Sequence, residues 1–344
     1  MYKSCITSLL IFISIIGCKA NKEKVHFLST EVQVMEQRDI IENALTLVLE
    51  RDLEELEIFG FAKIEEIKNN FILVETKLLG IKYLNKKSLE LKKAFTITSG
   101  RGPKELEFIM ASDVSEEIVA VADHHLMKVI LFDHEGNMIR EFLTDKKIPH
   151  RLALTENGSM NIMYEVFFDD IENGFLENLN LFGELNYNFE KEGFKRLHPF
   201  ATEGHLKSIK DTLYYVGEYE PFIKKYVNGK LIYTMATIDN HDTALNYVTI
   251  ISDESRSTSL TPEAVFSTRD FDIKNGLLFI IPSANGVEGF SYIDIYDTGT
   301  GKYIKSYKTI NPASQVEVYE EERFILTIET DGETQRPVFR KYSY

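Results

Sequence analysis

The feature that most constrains the fold of this 344-residue chain is a short apolar run that recurs six times. The runs follow one another at intervals of about 40 to 65 residues, which is typical of repeated β-sheet units. Near-continuous apolar runs of this length suit strands that are buried on both faces. The six runs are Phe71–Val74, Ile118–Val121, Met160–Tyr164, Leu213–Val216, Leu277–Ile281 and Phe324–Ile328.

A more alternating strand and a hairpin follow these runs. The clearest hairpin turn is Asn228-Gly229, because both central residues of such a turn adopt positive φ. Segments Val129–Ile139 and Tyr292–Gly301 have a similar form. Four strands per repeat and six repeats predict an all-β fold, a six-bladed β-propeller. The alternative is a large β-sandwich or barrel, which the regular spacing disfavours.

The two ends of the chain are expected to meet in the last blade. The chain ends in the strand-like segment Pro337–Tyr344, and Glu31–Met35 alternates like an isolated strand. We expect this N-terminal strand to complete the last blade and close the ring. Residues Ile40–Ile58, rich in Leu and Glu, are read as a mixture of short helix and strand.

The N-terminus resembles the signal of bacterial lipoproteins. Lys3 precedes the apolar run Ile6–Ile16, and Ile15–Cys18 is similar to a lipobox. The run is too short to span a bilayer, which favours a cleaved signal. We therefore expect a signal peptide over residues 1–17, a lipid on Cys18 within a tether over 18–35, and the propeller over 36–344.

Composition restricts the partners and the chemistry. The net charge of -15 disfavours binding to nucleic acid and repels anionic lipid. Membrane attachment is therefore expected to come from the lipid on the chain alone. The two cysteines, Cys5 and Cys18, both lie in the N-terminal region. The folded body is therefore expected to contain no disulfide, cysteine nucleophile or zinc–thiolate site. The sequence also has no P-loop, HExxH or GxSxG motif.

Two segments resemble known propellers. Ala120–Asn137 looks like one blade of the NHL-repeat class, and Gly100–Phe108 is similar to the Gly-x-Gly-Pro-Gly-Glu-Phe loop of a lipoprotein family. That family comprises six-bladed β-propeller lipoproteins of Gram-negative bacteria, which are NHL-like or TolB-like. Lys104 stands where the family usually has Gly. The resemblance implies the fold and the anchoring, and it implies no reaction.

Five carboxylates end the predicted buried strands. They are Glu75, Asp123, Glu165, Glu218 and Glu329. In a propeller these ends lie on one rim, and the acidic loops over residues 167–172 and 329–333 follow there. The resulting negative potential would attract a hard cation such as Ca²⁺ or a basic partner. The structural alternative is that these side chains accept backbone N–H bonds in turns.

Basic and imidazole side chains belong to the same predicted rim. Arg101 and Lys104 would either form ion pairs with the acidic rim or anchor an anionic ligand group. His124-His125 is the only adjacent histidine pair. Since adjacent residues on a strand point to opposite faces, we do not expect this pair to share a metal easily. The resemblance to an NHL blade implies instead that these positions form the turn between the buried strand and the next.

The predicted function is that of a lipid-anchored binding module of the cell envelope, with an envelope protein or a glycan as partner. The outer membrane is the expected location, and the membrane face stays open. One alternative is a metal-dependent hydrolase, lactonase or lyase that uses the propeller channel. A structural assembly factor of an envelope complex is the other. An enzyme is the less favoured reading, because the sequence supplies carboxylates without a recognisable catalytic set.

Overall fold

The computed structural model covers most of the chain downstream of the predicted tether. It describes residues 38–344 except for 59–61, 77, 146, 166–174, 191–202, 240–246, 252–255, 262–263, 265, 284–288 and 320–322, and only the backbone of 62, 247–251 and 256–259. The predicted signal peptide, Cys18, the tether, the strand at Glu31–Met35 and the acidic loop over 167–172 lie outside the described residues.

Within the described residues, 24 strands form six four-stranded antiparallel sheets, which are the blades of a β-propeller. Blade 1 contains β2 (Ala62–Ile67), β3 (Asn70–Glu75), β4 (Gly80–Asn85) and β5 (Leu91–Thr96). Blade 2 contains β6 (Ala111–Val114), β7 (Ile118–Asp123), β8 (Lys128–Asp133) and β9 (Met138–Leu143). Blade 3 contains β10 (Pro149–Leu154), β11 (Ser159–Tyr164), β12 (Leu176–Asn180) and β13 (Leu185–Asn188).

The remaining three blades follow the same order from the innermost strand outward. Blade 4 contains β14 (Gly204–Ile209), β15 (Thr212–Gly217), β16 (Phe222–Val227) and β17 (Lys230–Ala236). Blade 5 contains β20 (Thr268–Lys274), β21 (Leu277–Pro282), β22 (Tyr292–Asp297) and β23 (Tyr303–Lys308). Blade 6 contains β24 (Ala313–Tyr319), β25 (Phe324–Thr330), β26 (Pro337–Ser343) and, as its outermost strand, β1 (Thr46–Asp52). Strands β18 (Tyr247–Ile251) and β19 (Arg256–Leu260) form a separate hairpin between blades 4 and 5.

An N-terminal strand closes the ring, as expected, but it is not the strand that the sequence suggested. Strand β1 pairs antiparallel with β26, so that one sheet contains both ends of the described chain. The predicted strand at Glu31–Met35 lies upstream of it. The segment Ile40–Ile58 is a mixture of strand and helix, since β1 is followed by a 3₁₀ turn at Glu54–Leu56. Because β1 supplies the fourth strand of blade 6, the closure is made by backbone hydrogen bonds.

The hydrophobic core is divided among the interfaces between blades. The apolar runs found in the sequence are the second strands of the blades, for example β3 and β15, whose side chains are almost fully buried. Leu73 packs with Leu326 between blades 1 and 6, and Val121 packs with Ile81 between blades 2 and 1. The second strands are apolar on both faces because each blade has a neighbour on either side. In the described part of the chain, no helix has the length and hydropathy needed to cross a membrane.

Candidate functional site

The innermost strands of all six blades surround a central cavity. Its volume is about 350 Å³. Thr76 and Phe108, which belong to loops, extend its wall toward one face of the ring. On this face the innermost strands begin and the second strands end, as the pairing of Ala62 with Glu75 shows. We call it the upper face.

The polar side chains of the innermost strands reach toward the next blade around the ring. Side chains alternate along a strand, so every second residue faces the following blade. Five of these contacts are hydrogen bonds from a backbone N–H of the next innermost strand to a side-chain oxygen. The acceptors are Asp113, Asp270, Asp272, Gln315 and Glu317, which receive bonds from Leu154, Val316, Val318, Ile64 and Glu66 respectively. The channel wall is therefore tied together by polar contacts as well as by packing.

Two partly buried lysines that line the cavity form ion pairs with carboxylates of the innermost strands. The ammonium of Lys63 lies 2.7 Å from Glu65 and 3.4 Å from Asp113. The ammonium of Lys207 lies 3.3 Å from Glu65 and 3.2 Å from Glu317, and it also pairs with Asp272. Glu65 is thus shared by both lysines. These contacts join the inner strands of blades 1, 2, 4, 5 and 6.

The carboxyls of the cavity differ strongly in acidity. Burial would raise the pKa of Glu65, but the attraction of Lys207 and Lys63 outweighs it and lowers the pKa to about 2. Burial raises the pKa of Asp113 to about 6 and that of Asp270 to about 7, despite the attraction of the same lysines. Near neutral pH the cavity therefore contains both an ionised carboxylate and carboxyls that can carry a proton.

A second group of ionisable side chains lies at the upper mouth of the channel. Arg151 donates to Glu218 at 2.7 Å. Burial and the neighbouring charge of Glu218 raise the pKa of Glu203 to about 7. Burial and the positive charge of Arg151 lower the pKa of His150 to about 2 and that of His205 to about 3, so both imidazoles are neutral at physiological pH. The Nε2 atoms of both histidines are buried and make no hydrogen bond to any described residue, although that of His150 lies 3.8 Å from Glu203.

The structure places the five predicted rim carboxylates on the upper face but gives two of them structural roles within their own blades. Glu75, at the end of β3, is buried and lies 3.0 Å from the ammonium of Lys82 on β4. Glu329, at the end of β25, is 1% exposed and accepts bonds from Arg340 and Tyr342 on β26. These two carboxylates are held by partners that lie on the third strand of the same blade.

The other three rim carboxylates belong to one sector of the upper face, formed by blades 2 to 4. Asp123 ends β7 and accepts backbone N–H bonds from Glu107, Phe108 and Leu126. Glu165 is exposed. Its charge raises the pKa of both Glu203 and His124. Glu218 forms the ion pair with Arg151 described above. Asp123, Glu165 and Glu218 are thus the rim carboxylates that lie in one sector of the upper face. The Ca²⁺ site expected from the sequence stays a prediction.

The loop Gly100–Phe108 connects β5 to β6 on the upper face, as expected from the sequence. Arg101 is largely exposed and lies 2.5 Å from Glu107. The backbone N–H of Lys104 donates to Glu141 at 2.7 Å. Both glycines pack against the carboxylate of Glu105, and Gly100 also has a φ of 155°, which favours glycine. Neither Arg101 nor Lys104 lines the cavity.

The histidine pair lies in the turn between β7 and β8, which confirms its place in a turn. The expectation that His124 and His125 cannot share a metal is wrong in its geometry. The alternation rule applies to strands, whereas in this turn the ring centroids are 3.8 Å apart. One ligand atom from each of Asp123, His124 and His125 lies within 4.8 Å of the other two. Burial and the neighbouring His125 lower the pKa of His124.

Sequence reasoning missed the cavity residues themselves. The available signal was the alternation of polar residues in segments that precede the apolar runs. Lys63 and Glu65 alternate in β2, as do His205 and Lys207 in β14. Alternation of this kind predicts a strand with one face exposed to solvent. It does not indicate that the polar face lines a central channel together with the innermost strands of five other blades.

Comparisons with known proteins support the fold. No family model matches the sequence, and a search of curated proteins finds no match. The structure is similar to a protein of Bacteroides fragilis described as exported, with a TM-score of 0.59 and 10% identity over 91% of this chain and 98% of that one. It is also similar to the β-propeller domain of Cps50 (Swd1) from Myceliophteria thermophila, with a TM-score of 0.50 and 11% identity over 87% and 99% of the two chains. A third structure, BamB from Moraxella catarrhalis, has a TM-score of 0.44 and 12% identity over 83% and 82%. At these identities the first two likenesses establish the propeller fold alone.

Proposed function

We propose that this protein is a lipid-anchored β-propeller of the cell envelope that binds a small polar ligand in its central channel. The observation that carries the proposal is the cavity of about 350 Å³, to which all six innermost strands contribute. Small-molecule sites usually have volumes of about 300 to 1,000 Å³. The ligand would enter from the upper face.

The wall of the cavity favours a ligand with several hydrogen-bonding groups. Arg269 lines the cavity, is exposed and has no hydrogen-bond or ion-pair partner among the described residues. His205 lines it as well and leaves its Nε2 atom unpaired. Such groups gain partners when a polar ligand binds, and a purely apolar ligand would leave them unsatisfied. The inter-blade hydrogen bonds hold these donors in place before binding, which lowers the entropy lost on association.

The anchoring part of the proposal depends on Cys18, which lies outside the described residues. Its support is the lipobox-like segment Ile15–Cys18 and the net charge of -15, which gives no electrostatic attraction to an anionic membrane. A lipid on Cys18 would hold the propeller at the membrane while the channel stays accessible to solutes.

Thermal unfolding of the purified protein with a defined set of probes tests the binding proposal. The set contains succinate, inorganic phosphate, N-acetylglucosamine, a cationic amino acid and a dipeptide. A ligand at a hundred times its dissociation constant stabilises the folded state by about 2.7 kcal/mol, which raises the Tm of a domain of this size by a few degrees. The variant Ser112→Phe, which places a ring in the cavity wall, should lose the shift.

The mild variant Arg269→Gln is a second test, because Arg269 is exposed and its substitution should not impair folding. It should weaken binding while leaving the melting temperature of the free protein unchanged. A shift that is equally large in Ser112→Phe and Arg269→Gln would place the ligand elsewhere and contradict the proposal. So would the absence of a shift with every probe.

A metal-dependent hydrolase or lyase that uses the same channel is the second candidate. One observation favours it, because His124, His150 and His205 all lie on the upper face and each has a buried ring nitrogen that forms no hydrogen bond within the described part of the chain. Neutral imidazoles of this kind are common metal ligands. Turnover that depends on an added metal, measured with lactone and uronide-type model substrates, would support this candidate over a pure binding module.

A further inference from the structure

The turn between β7 and β8 brings three potential metal ligands together. Asp123 is the last residue of β7, and His124 and His125 begin the turn. A carboxylate oxygen and one ring nitrogen from each histidine lie within 4.8 Å of one another. Among the described residues no other group of three such side chains meets this condition.

The ring of His124 has a polar atom that no protein group satisfies. Its Nδ1 is buried and makes no hydrogen bond to any described residue. A buried ring nitrogen normally finds a partner, because its water is lost on folding and leaving it unpaired is costly. The other potential ligand of the pair, His125, is exposed and free to adjust its rotamer. A metal ion bound at the edge of the ring by this nitrogen would supply the missing partner.

The carboxylate of Asp123 is already fixed in orientation. One oxygen accepts a bond from Leu126 at 2.9 Å, and the other accepts from Glu107 at 2.6 Å and from Phe108 at 3.0 Å. An ionised carboxylate offers about four lone-pair positions, so these three bonds leave one for an ion. Outer hydrogen bonds of this kind hold a metal ligand in place.

We propose that Asp123, His124 and His125 form a binding site for a transition-metal ion of the zinc class. Two of the three ligands are imidazole nitrogens, which suit Zn²⁺, Ni²⁺ or Cu²⁺, whereas Ca²⁺ takes oxygen ligands. Three protein ligands leave a tetrahedral ion one open position. The site goes beyond the proposed binding function and does not depend on it.

The site would lie beside the channel. The ring of Phe108 is 5.5 Å from the ring of His124 and 6.3 Å from that of His125, and the same side chain lines the cavity. The proposed metal site and the cavity therefore share the side chain of Phe108.

Isothermal titration calorimetry of the metal-free protein with Zn²⁺ alone tests the site. We expect one Zn²⁺ per chain, and we expect the dissociation constant to rise at least about tenfold in His125→Ala and in His124→Ala. His125→Ala keeps the test valid if the more buried His124→Ala fails to fold, because the ring of His125 is exposed. The matched control is His134→Ala on the neighbouring turn, whose ring is already bonded to Tyr83 and Ser115 and which should bind Zn²⁺ as the wild type does.

The outcomes separate the possibilities. Co²⁺ should give an absorption spectrum of a nitrogen-ligated, low-coordinate ion in the wild type and in His134→Ala, and that spectrum should be lost in His125→Ala. No saturable Zn²⁺ binding would overturn the proposal. Equal Zn²⁺ binding by the wild type and both histidine variants would also overturn it, as would tight binding of Ca²⁺ in place of Zn²⁺.

Discussion

Replacing Asp270 by Asn should stabilise the protein at alkaline pH. Asp270 lies on β20, lines the cavity and accepts a bond from the backbone N–H of Val316 at 3.0 Å. An Asn side chain presents an oxygen to the same N–H and has no charge to bury. The substitution therefore keeps the contact between blades 5 and 6 and removes the desolvation of the carboxylate.

The sign and size of the effect follow from the pKa of Asp270, which burial raises from 3.8 to about 7. The folded state then holds a proton that the unfolded state releases, so the wild type loses stability as the pH rises from 3.8 through 7. At 1.36 kcal/mol per pKa unit, the difference between the folded and unfolded pKa of Asp270 lowers the free energy of unfolding by about 4 kcal/mol above pH 7. Near pH 4 the same difference costs nearly nothing. Asp270→Asn should thus gain up to about 4 kcal/mol at pH 8 and little at pH 4.5.

Urea unfolding followed by circular dichroism at pH 4.5 and pH 8 measures the gain as a change in midpoint at constant m-value. The matched control is Asp297→Asn on an exposed turn. Hydrogen bonds from Thr300 lower the pKa of Asp297, so this variant should lose stability at pH 8. If Asp270→Asn is no more stable than the wild type at pH 8, or gains equally at both pH values, the reasoning about the buried carboxyl is refuted.

Three further variants test the anchor and the blades. Cys18→Ala should leave the precursor unlipidated, so incorporation of labelled fatty acid into the variant would contradict the predicted anchor. Arg340→Met should remove about 3 to 5 kcal/mol from the free energy of unfolding, because it leaves the buried carboxylate of Glu329 without its guanidinium partner. A loss of under about 1 kcal/mol in urea unfolding would contradict this role of Arg340. Gly204→Ala should lower the Tm, since a Cβ there would lie 2.5 Å from the ring of Tyr215 and 2.6 Å from the backbone oxygen of Val216. A wild-type Tm would show that both the ring and the backbone can move away.

The features of the fold that depend on local pattern could be predicted from the sequence. Leu213–Val216 lies within β15, where its side chains are buried against the blades on both sides. The turn at Asn228-Gly229 joins β16 to β17, and both residues have the positive φ that such a turn requires. These predictions hold because a doubly buried strand and a tight hairpin each have one strong local signature.

The closing strand shows where local pattern is insufficient. Strand β1 is largely exposed, and its sequence TLVLERD has little alternation, so Glu31–Met35 looked equally suitable. What selects β1 is its pairing with β26, in which Glu50 lies opposite Arg340 and the two side chains form an ion pair. An outermost strand is recognised by its partner more than by its own composition.

For the rim carboxylates, the sequence predicts on which face they lie but not whether they are available to a ligand. Topology places Glu75, Glu218 and Glu329 on one face, and this part follows from strand order alone. Whether each carboxylate remains available to a ligand depends on the third strand, where Lys82 meets Glu75 and Arg340 meets Glu329. Those pairings depend on the register between strands, which an isolated sequence specifies only weakly.

The charge balance of the cavity determines how a ligand can bind there. The cavity is lined by three carboxyl groups, those of Glu65, Asp270 and Glu317, and by four cationic side chains, those of Lys63, Lys207, Arg151 and Arg269. Burial raises the pKa of Asp270 to about 7 and that of Asp113, behind the wall, to about 6, so both carboxyls can exchange a proton near neutral pH. A cationic ligand that enters the cavity would favour the ionised carboxyls and release protons, whereas an anionic ligand would favour the protonated ones. Because closed blades keep these groups in place, the sign of proton release on binding reports the charge of the ligand directly.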